Sequence, residues 1–256
     1  VSLTLRLDDY DVEEFARLAG GYGHATFDFV VTPNVDHVIR YWDEPAFREL
    51  YAAAGWVLLD SRLLARILNL TRGLRPRVCP GSDLTARLFA TTAVHERIVL
   101  IGGSAQQAQR LVEIYRLQDL RHYSPPMGFI HDRQAVEQTL QFIEAQSPFR
   151  YCFIGVGSPQ QELLARELKQ RGNARGLALC IGASINFLTG AERRAPRWMQ
   201  TLNLEWLYRL LQDPGRLARR YLVRGPRIFR LLPRLQVQLQ RATASGAEKS
   251  SRARSG

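Results

Sequence analysis

Short apolar runs alternate with amphipathic stretches from residue 26 to about residue 188. Runs rich in β-branched and aromatic residues read as buried strands, and apolar positions three and four apart read as helices. The pattern predicts strands over 26–31, 55–60, 97–101, 121–123, 151–156 and 176–181. Helices are expected over 8–19 with Asp8 or Asp9 as cap, from Val35 to Ala54 with a break near Pro45, and through Leu64, Ile67 and Leu68. Further helices follow a cap at Ser82 or Asp83, a turn at Gly102, Gly103 and Ser104, and the start of 133–145. Such alternation implies an α/β fold: a Rossmann-like, largely parallel sheet flanked by helices.

The stretch YCFIGVGSPQQELLARELKQ, residues 151–170, shows this logic most clearly. An apolar strand passes through Gly155 and Gly157 into a helix start, where Ser158 suits the cap, Pro159 the first helical position and Gln161 the third after the cap. The exposed N–H groups and positive dipole end of such a helix suit an anion or a carbonyl. The same residues serve equally well as an ordinary capping box, with Glu162 favoured by the dipole. Asp60 has two readings of the same kind. It ends a strand at the sheet edge where α/β proteins bind ligands, and Asp60 or Ser61 is also a fitting helix cap. Gly102, Gly103 and Ser104 again aim backbone donors outward, without the full spacing of a dinucleotide fingerprint or the lysine of a P-loop.

After residue 188 the pattern changes. Short helices punctuated by Pro196, Pro214 and Pro226 are expected there, with no further strands. In the last of them Ile228, Leu231, Leu232, Leu235 and Leu239 share a helical face, and Arg227, Arg230, Arg234 and Arg241 gather to one side, as in a helix lying on a membrane surface. Trp198, Tyr208 and Tyr221 fit as interface anchors, and Trp206 fits core packing. The expected organisation is an α/β catalytic domain over 1–190, a helical arginine-rich appendage over 191–240 and a small, polar, disordered tail over 241–256.

Charge sharpens this division. The chain of 256 residues carries a formal net charge of +11. Between Arg193 and Arg234 there are 11 arginines against Glu205 and Asp213, so this segment alone contributes 11 − 2 = +9. An acidic partner is implied: nucleic acid, anionic lipid or a phosphorylated substrate. Roughly five arginines at an anionic leaflet, at about 1 kcal/mol each, would contribute about 5 kcal/mol of attraction.

Other classes find less support. Cys79, Cys152 and Cys180 are odd in number and lack C-x-x-C spacing, which argues for a reducing compartment and against a disulfide framework or zinc site. The five histidines are scattered without metal-ligand spacing. The first residues lack a signal-peptide pattern, and no run of 18 apolar residues occurs. A nucleic-acid-binding protein is disfavoured because the arginines border an apolar face, and a dinucleotide-dependent oxidoreductase because its fingerprint is missing.

Taken together, VTPNVDHV, RVCPGSDL, LIGG, SPPMGF, FIGVGSPQQE, IGASINFLTG and RRAPRWMQTLNLEWLYRLLQDPGRLARRYL, in this order over roughly 26–232, resemble the WecG/TagA/CpsF glycosyltransferases, glycosyltransferase family 26. The resemblance implies a metal-independent, inverting transfer, with no cofactor, from a UDP-sugar to a lipid-diphosphate-linked saccharide. The site of action would be the cytoplasmic face of the membrane, with the appendage on an anionic surface and nucleic acid playing no part. It implies Asp60 as catalytic base, and Thr32, Asn34 and Gln161 lining the donor pocket, with Gly102, Gly103, Gly157 and Glu162 in the adjoining turns and helix start. Arg77 is implied as a pocket arginine, and Arg209, Arg216 and Arg219 as groups that close over the diphosphate. The chemistry suits these types: a carboxylate takes the acceptor proton while arginines neutralise the departing UDP. Two departures stand out. Asp60 is followed by Ser61 where many members carry glycine, and Asn186 stands where an acidic residue is frequent.

Overall fold

The computed structural model describes residues 3–192, 195, 196, 199 and 204–241, without the side chains of Arg209 and Arg216. The expected disordered tail and Trp198 therefore lie outside the described residues, the tail except for its first residue. A six-stranded, wholly parallel sheet runs in the order β3 (Trp56–Val57), β2 (Phe27–Val31), β7 (Gly176–Cys180), β6 (Tyr151–Ile154), β4 (Ile98–Ile101), β5 (Leu120–Tyr123). Its inner strands are buried on both faces. Alternate residues feed two cores: Val99, Ile101, Cys152 and Ile154 point to one side, and Ile98, Leu100, Tyr151 and Phe153 to the other. Continuous apolar runs result from this double burial.

Helix α1 (Val12–Gly21) precedes β2, and α2 (Val35–Asp43) and α3 (Pro45–Ala53) follow it with the expected break. Next come α4 (Arg62–Arg72), α5 (Gly81–Thr91), α6 (Ala105–Tyr115), α7 (Arg133–Ala145), α8 (Gln160–Arg171) and the short α9 (Ser184–Leu188). Several caps differ from expectation. Asp11 caps α1 in a capping box with Glu14, because Asp8 ends a strand instead. The N-cap of α5 is Pro80, which leaves Ser82 and Asp83 inside its first turn. Likewise α8 begins at Gln160 after Pro159, and the Ser158 hydroxyl makes no capping bond. For α4, Ser61, one of the two residues expected, is the cap, and Asp60 does not take that role.

The largest difference lies at the two ends of the described chain. Leu3–Asp8 forms β1 and Leu235–Gln240 forms β8, paired in parallel with Leu3 opposite Leu235, Leu5 opposite Val237 and Leu7 opposite Leu239. The helix expected to run past Leu235 stops at Leu231. Alternation decides the outcome: in LQVQLQ every second residue is apolar, a period of two that a strand can bury on one side. The ribbon is fastened to the sheet edge by Asp8, whose carboxylate accepts the Val57 N–H at 2.7 Å, and by Arg6, which donates to the carbonyls of Ala54 and Gly55.

Among the described residues from 204 to 231 the chain is helical in short pieces: Glu205–Gln212, Pro214–Ala218, a π-helical stretch Arg219–Arg224, a 3₁₀ turn Gly225–Arg227 and Ile228–Leu231. This appendage lies across α2. Arg220 reaches Asp36 at 3.5 Å, and Arg227 forks onto Asp43 with bonds of 2.8 and 2.9 Å. Arg241 pairs with Glu14, so two of the four arginines expected on a lipid-facing helix are engaged with protein carboxylates instead.

Candidate active site

The loops that leave the C-terminal edges of the strands, roofed by the appendage, enclose a polar cavity of about 750 Å³. Position follows from topology, since this is where open parallel sheets bind their ligands. Thr32 and Asn34 follow β2, Asp60 lies just beyond β3, Gly157 comes from the turn between β6 and α8, and Gln161 from the first turn of α8. Arg219 closes the roof together with Arg220, Tyr221 and Arg224.

Each floor residue is held by local structure. Asn34 caps α2, its Oδ1 accepting the N–H groups of Asp36 at 3.0 Å and His37 at 3.3 Å. Only Trp56 and Val57 of the expected strand join the ladder, yet the backbone stays in line: the Leu58 N–H donates to Val31 and the Asp60 N–H to Pro33. That geometry carries the Asp60 side chain to α5, where the Gly81 N–H donates to Asp60 Oδ1 at 2.7 Å. Asp60 thus satisfies an N-terminal donor that Pro80 cannot cap. Glycine suits position 81, because a Cβ there would stand 2.9 Å from Thr32 Oγ1 and force a shift.

Electrostatics divide the cavity. Burial and the nearby charge of Arg220 push the His37 imidazole down to about 4, opposed by Asp36 and helped by Arg40. His37 is therefore neutral near pH 7, and its Nδ1 accepts the Asn34 N–H at 3.4 Å. Arg40 shares the same wall and lies over the Phe47 ring at 5.4 Å. Burial pushes the Glu162 carboxyl up, while the Gln161 amide, the local backbone, the Ser158 hydroxyl and Arg40 pull it back. At the far wall Asn186 joins Gln107 to Glu192, whose carboxylate reaches the lining.

Beyond Asp60 a second, apolar cavity of about 490 Å³ opens between α4 and the appendage. Val35, Leu63, Trp206, Ile228 and Phe229 line it, and Trp206 meets the Tyr221 ring edge-on at 6.2 Å. Asn34, Asp60, Arg220 and Tyr221 border both cavities.

The model of the WecG/TagA/CpsF glycosyl transferase family matches residues 2–242. The chain belongs to that family. Membership makes it a glycosyltransferase of cell-surface polysaccharide synthesis.

Not every expected residue of this glycosyltransferase reaches the cavity. Thr32, Asn34, Asp60, Gly157, Gln161 and Arg219 are brought together in its lining. Arg77 lies elsewhere: it pairs with Glu14 and, at 3.3 Å, with Asp11, while its backbone N–H donates to Asp9. Gly102 and Gly103 lie outside the lining. Gly102 has φ +92 and packs so tightly that a Cβ would come within 2.9 Å of the Gly155 carbonyl oxygen. Glu162 is buried beneath the floor at 1% exposure, and the side chains of Arg209 and Arg216 are outside the described residues. His37, Arg40 and Arg220 were not expected. Asn34, His37 and Arg40 recur every three residues along α2, a spacing that puts all three on one helical face.

Among the described residues no group of three or more His, Cys, Asp or Glu is placed to hold a metal ion, and no helix is long and apolar enough to cross a membrane.

Proposed function

We propose that this glycosyltransferase moves a sugar, with inversion, from a UDP-sugar held in the polar cavity to a lipid-diphosphate-linked saccharide entering from the apolar groove. The observation that carries the reading is the place of Asp60 on the border of both cavities. A base there stands between donor and acceptor, and it takes the acceptor hydroxyl proton as that oxygen attacks the anomeric carbon. The bond to UDP breaks on the opposite face. Arg219, Arg220 and Arg224 in the roof take up the charge of the departing diphosphate, with Arg209 and Arg216 assigned to the same lid, so guanidinium groups act in place of a metal ion. Arg77 is assigned a structural role.

The acceptor's lipid part sets the location, peripheral on the cytoplasmic face of the membrane. Leu222, Val223 and Phe229 are 57%, 66% and 61% exposed within the arginine-rich appendage, which suits contact with an anionic bilayer.

The deciding experiment offers a panel of UDP-sugars with lipid-diphosphate-linked acceptors and reads products by mass. Alongside it, flotation with anionic liposomes compares the chain with a Leu222→Glu/Phe229→Glu variant. Transfer from one UDP-sugar, and flotation lost in the variant, are expected. Absence of any product, or salt-sensitive oligonucleotide binding without lipid binding, would overturn the reading.

A further inference from the structure

Gln161 and Glu162 sit side by side in the first turn of α8, 2% and 1% exposed. Their contacts fix which way the Gln161 amide faces. The Gly182 N–H can only donate, and it donates to Gln161 Oε1 at 2.9 Å. On the other side Gln161 Nε2 donates to Glu162 Oε1, also at 2.9 Å. An amide nitrogen carries two hydrogens, so one N–H is left, on a side chain that lines the polar cavity.

Glu162 contributes little else. By distance and angle its Oε2 is buried without a hydrogen-bond partner, and the Ser158 hydroxyl, which favours its charged form, lies beside it. A buried carboxyl with one oxygen lacking a hydrogen bond costs stability that an apolar side chain of similar size would not. Orienting Gln161 is the compensating gain.

We infer that Glu162 is a positioning residue that locks Gln161 as a hydrogen-bond donor into the cavity, so that this point of the floor selects an acceptor oxygen on the bound sugar nucleotide. The inference rests on the donor-site reading above. The oxygen could belong to the sugar or to the diphosphate, and the test separates the two.

Two variants are compared with the full-length chain: Glu162→Leu, which removes the acceptor for the Gln161 amide, and Glu162→Gln, whose carboxamide oxygen can take the same proton. Nitrogen-15 spectra of the ligand-free protein report the Gln161 side-chain amide, and calorimetry reports binding of UDP, UDP-glucose and UDP-N-acetylglucosamine. In wild type and Glu162→Gln the two amide protons should be well separated, with one slow to exchange. In Glu162→Leu they should converge, with about tenfold weaker binding. Loss for the sugar nucleotides alone assigns the oxygen to the sugar, and loss for UDP as well assigns it to the diphosphate. Unchanged amide signals and affinity in Glu162→Leu, or equal loss in both variants, would overturn the inference. A wild-type chain that binds none of the three ligands would instead remove the donor-site reading, while the amide signals still decide whether Glu162 orients Gln161.

Discussion

The Asp60 carboxylate accepts the backbone N–H of Gly81 at 2.7 Å, so the proposed base is also the acceptor for the first donor of α5. One oxygen is thereby aimed by the helix. An asparagine side chain can accept the same N–H without acting as a base. Asp60→Asn should therefore fold normally and bind the donor within about threefold, while transfer falls by about 10²–10⁴. Single-turnover rates compared with donor affinity check this, and full activity in the variant would remove Asp60 from the chemistry.

Arg227 and Asp43 should act as a clamp that holds the appendage on α2. Removing either partner is expected to speed proteolysis within residues 213–234 while the parallel-sheet core stays resistant, and the double variant should be no worse than either single one. Because the pair is exposed, high salt should reproduce part of the effect. Cleavage rates that are identical in all variants would show that other contacts dock the appendage.

His37 makes stability depend on pH. Its folded value, about 4, lies below the ordinary 6.5, so below pH 6.5 the unfolded chain binds a proton that the folded chain refuses. The stability owed to its neutral form is fully present above 6.5 and is lost as pH falls from about 6.5 to about 4. The total is about 3 kcal/mol. Urea unfolding across that range should show the loss, and His37→Gln should flatten this component.

A methyl group at Gly102 meets two obstacles, a φ of +92 and the Gly155 carbonyl oxygen 2.9 Å away. Gly102→Ala should destabilise the protein by about 1–3 kcal/mol, visible as a lower melting temperature. Gly20→Ala, where a Cβ meets nothing within 4 Å, is the matching control.

The sheet was legible in the sequence because strands such as IVLI and YCFI are buried on both faces and read as uninterrupted apolar runs. The β1–β8 pair was not, for a specific reason. Leu231, Leu235 and Leu239 fall four apart, as a helix requires, while Leu235, Val237 and Leu239 fall two apart, as a strand requires. Local periodicity cannot choose between them. The choice is made by Leu3, Leu5 and Leu7, more than two hundred residues away. Arg77 illustrates the same limit, since its partners Asp9, Asp11 and Glu14 reach it only through the folding of α1. Thr32, Asn34 and Asp60 were legible through the family resemblance, and their places just past strand ends or at a helix cap put them at the C-terminal edge of the parallel sheet, where they line the cavity.

The pairing of β1 with β8 also changes what kind of moving part the appendage can be. A segment fixed to the sheet at one end could swing clear of the cavity like a hinged door. This one ends in β8, which pairs with β1, and Asp8 and Arg6 of β1 bond to the backbone at the sheet edge, so its far end is anchored through a two-stranded ribbon. With its far end anchored, the appendage cannot swing clear in that way. Leu222 and Val223, exposed on its outer side, lie within four residues of Arg219 and Arg220, so a contact made at these side chains acts on the same short stretch that carries the roof arginines.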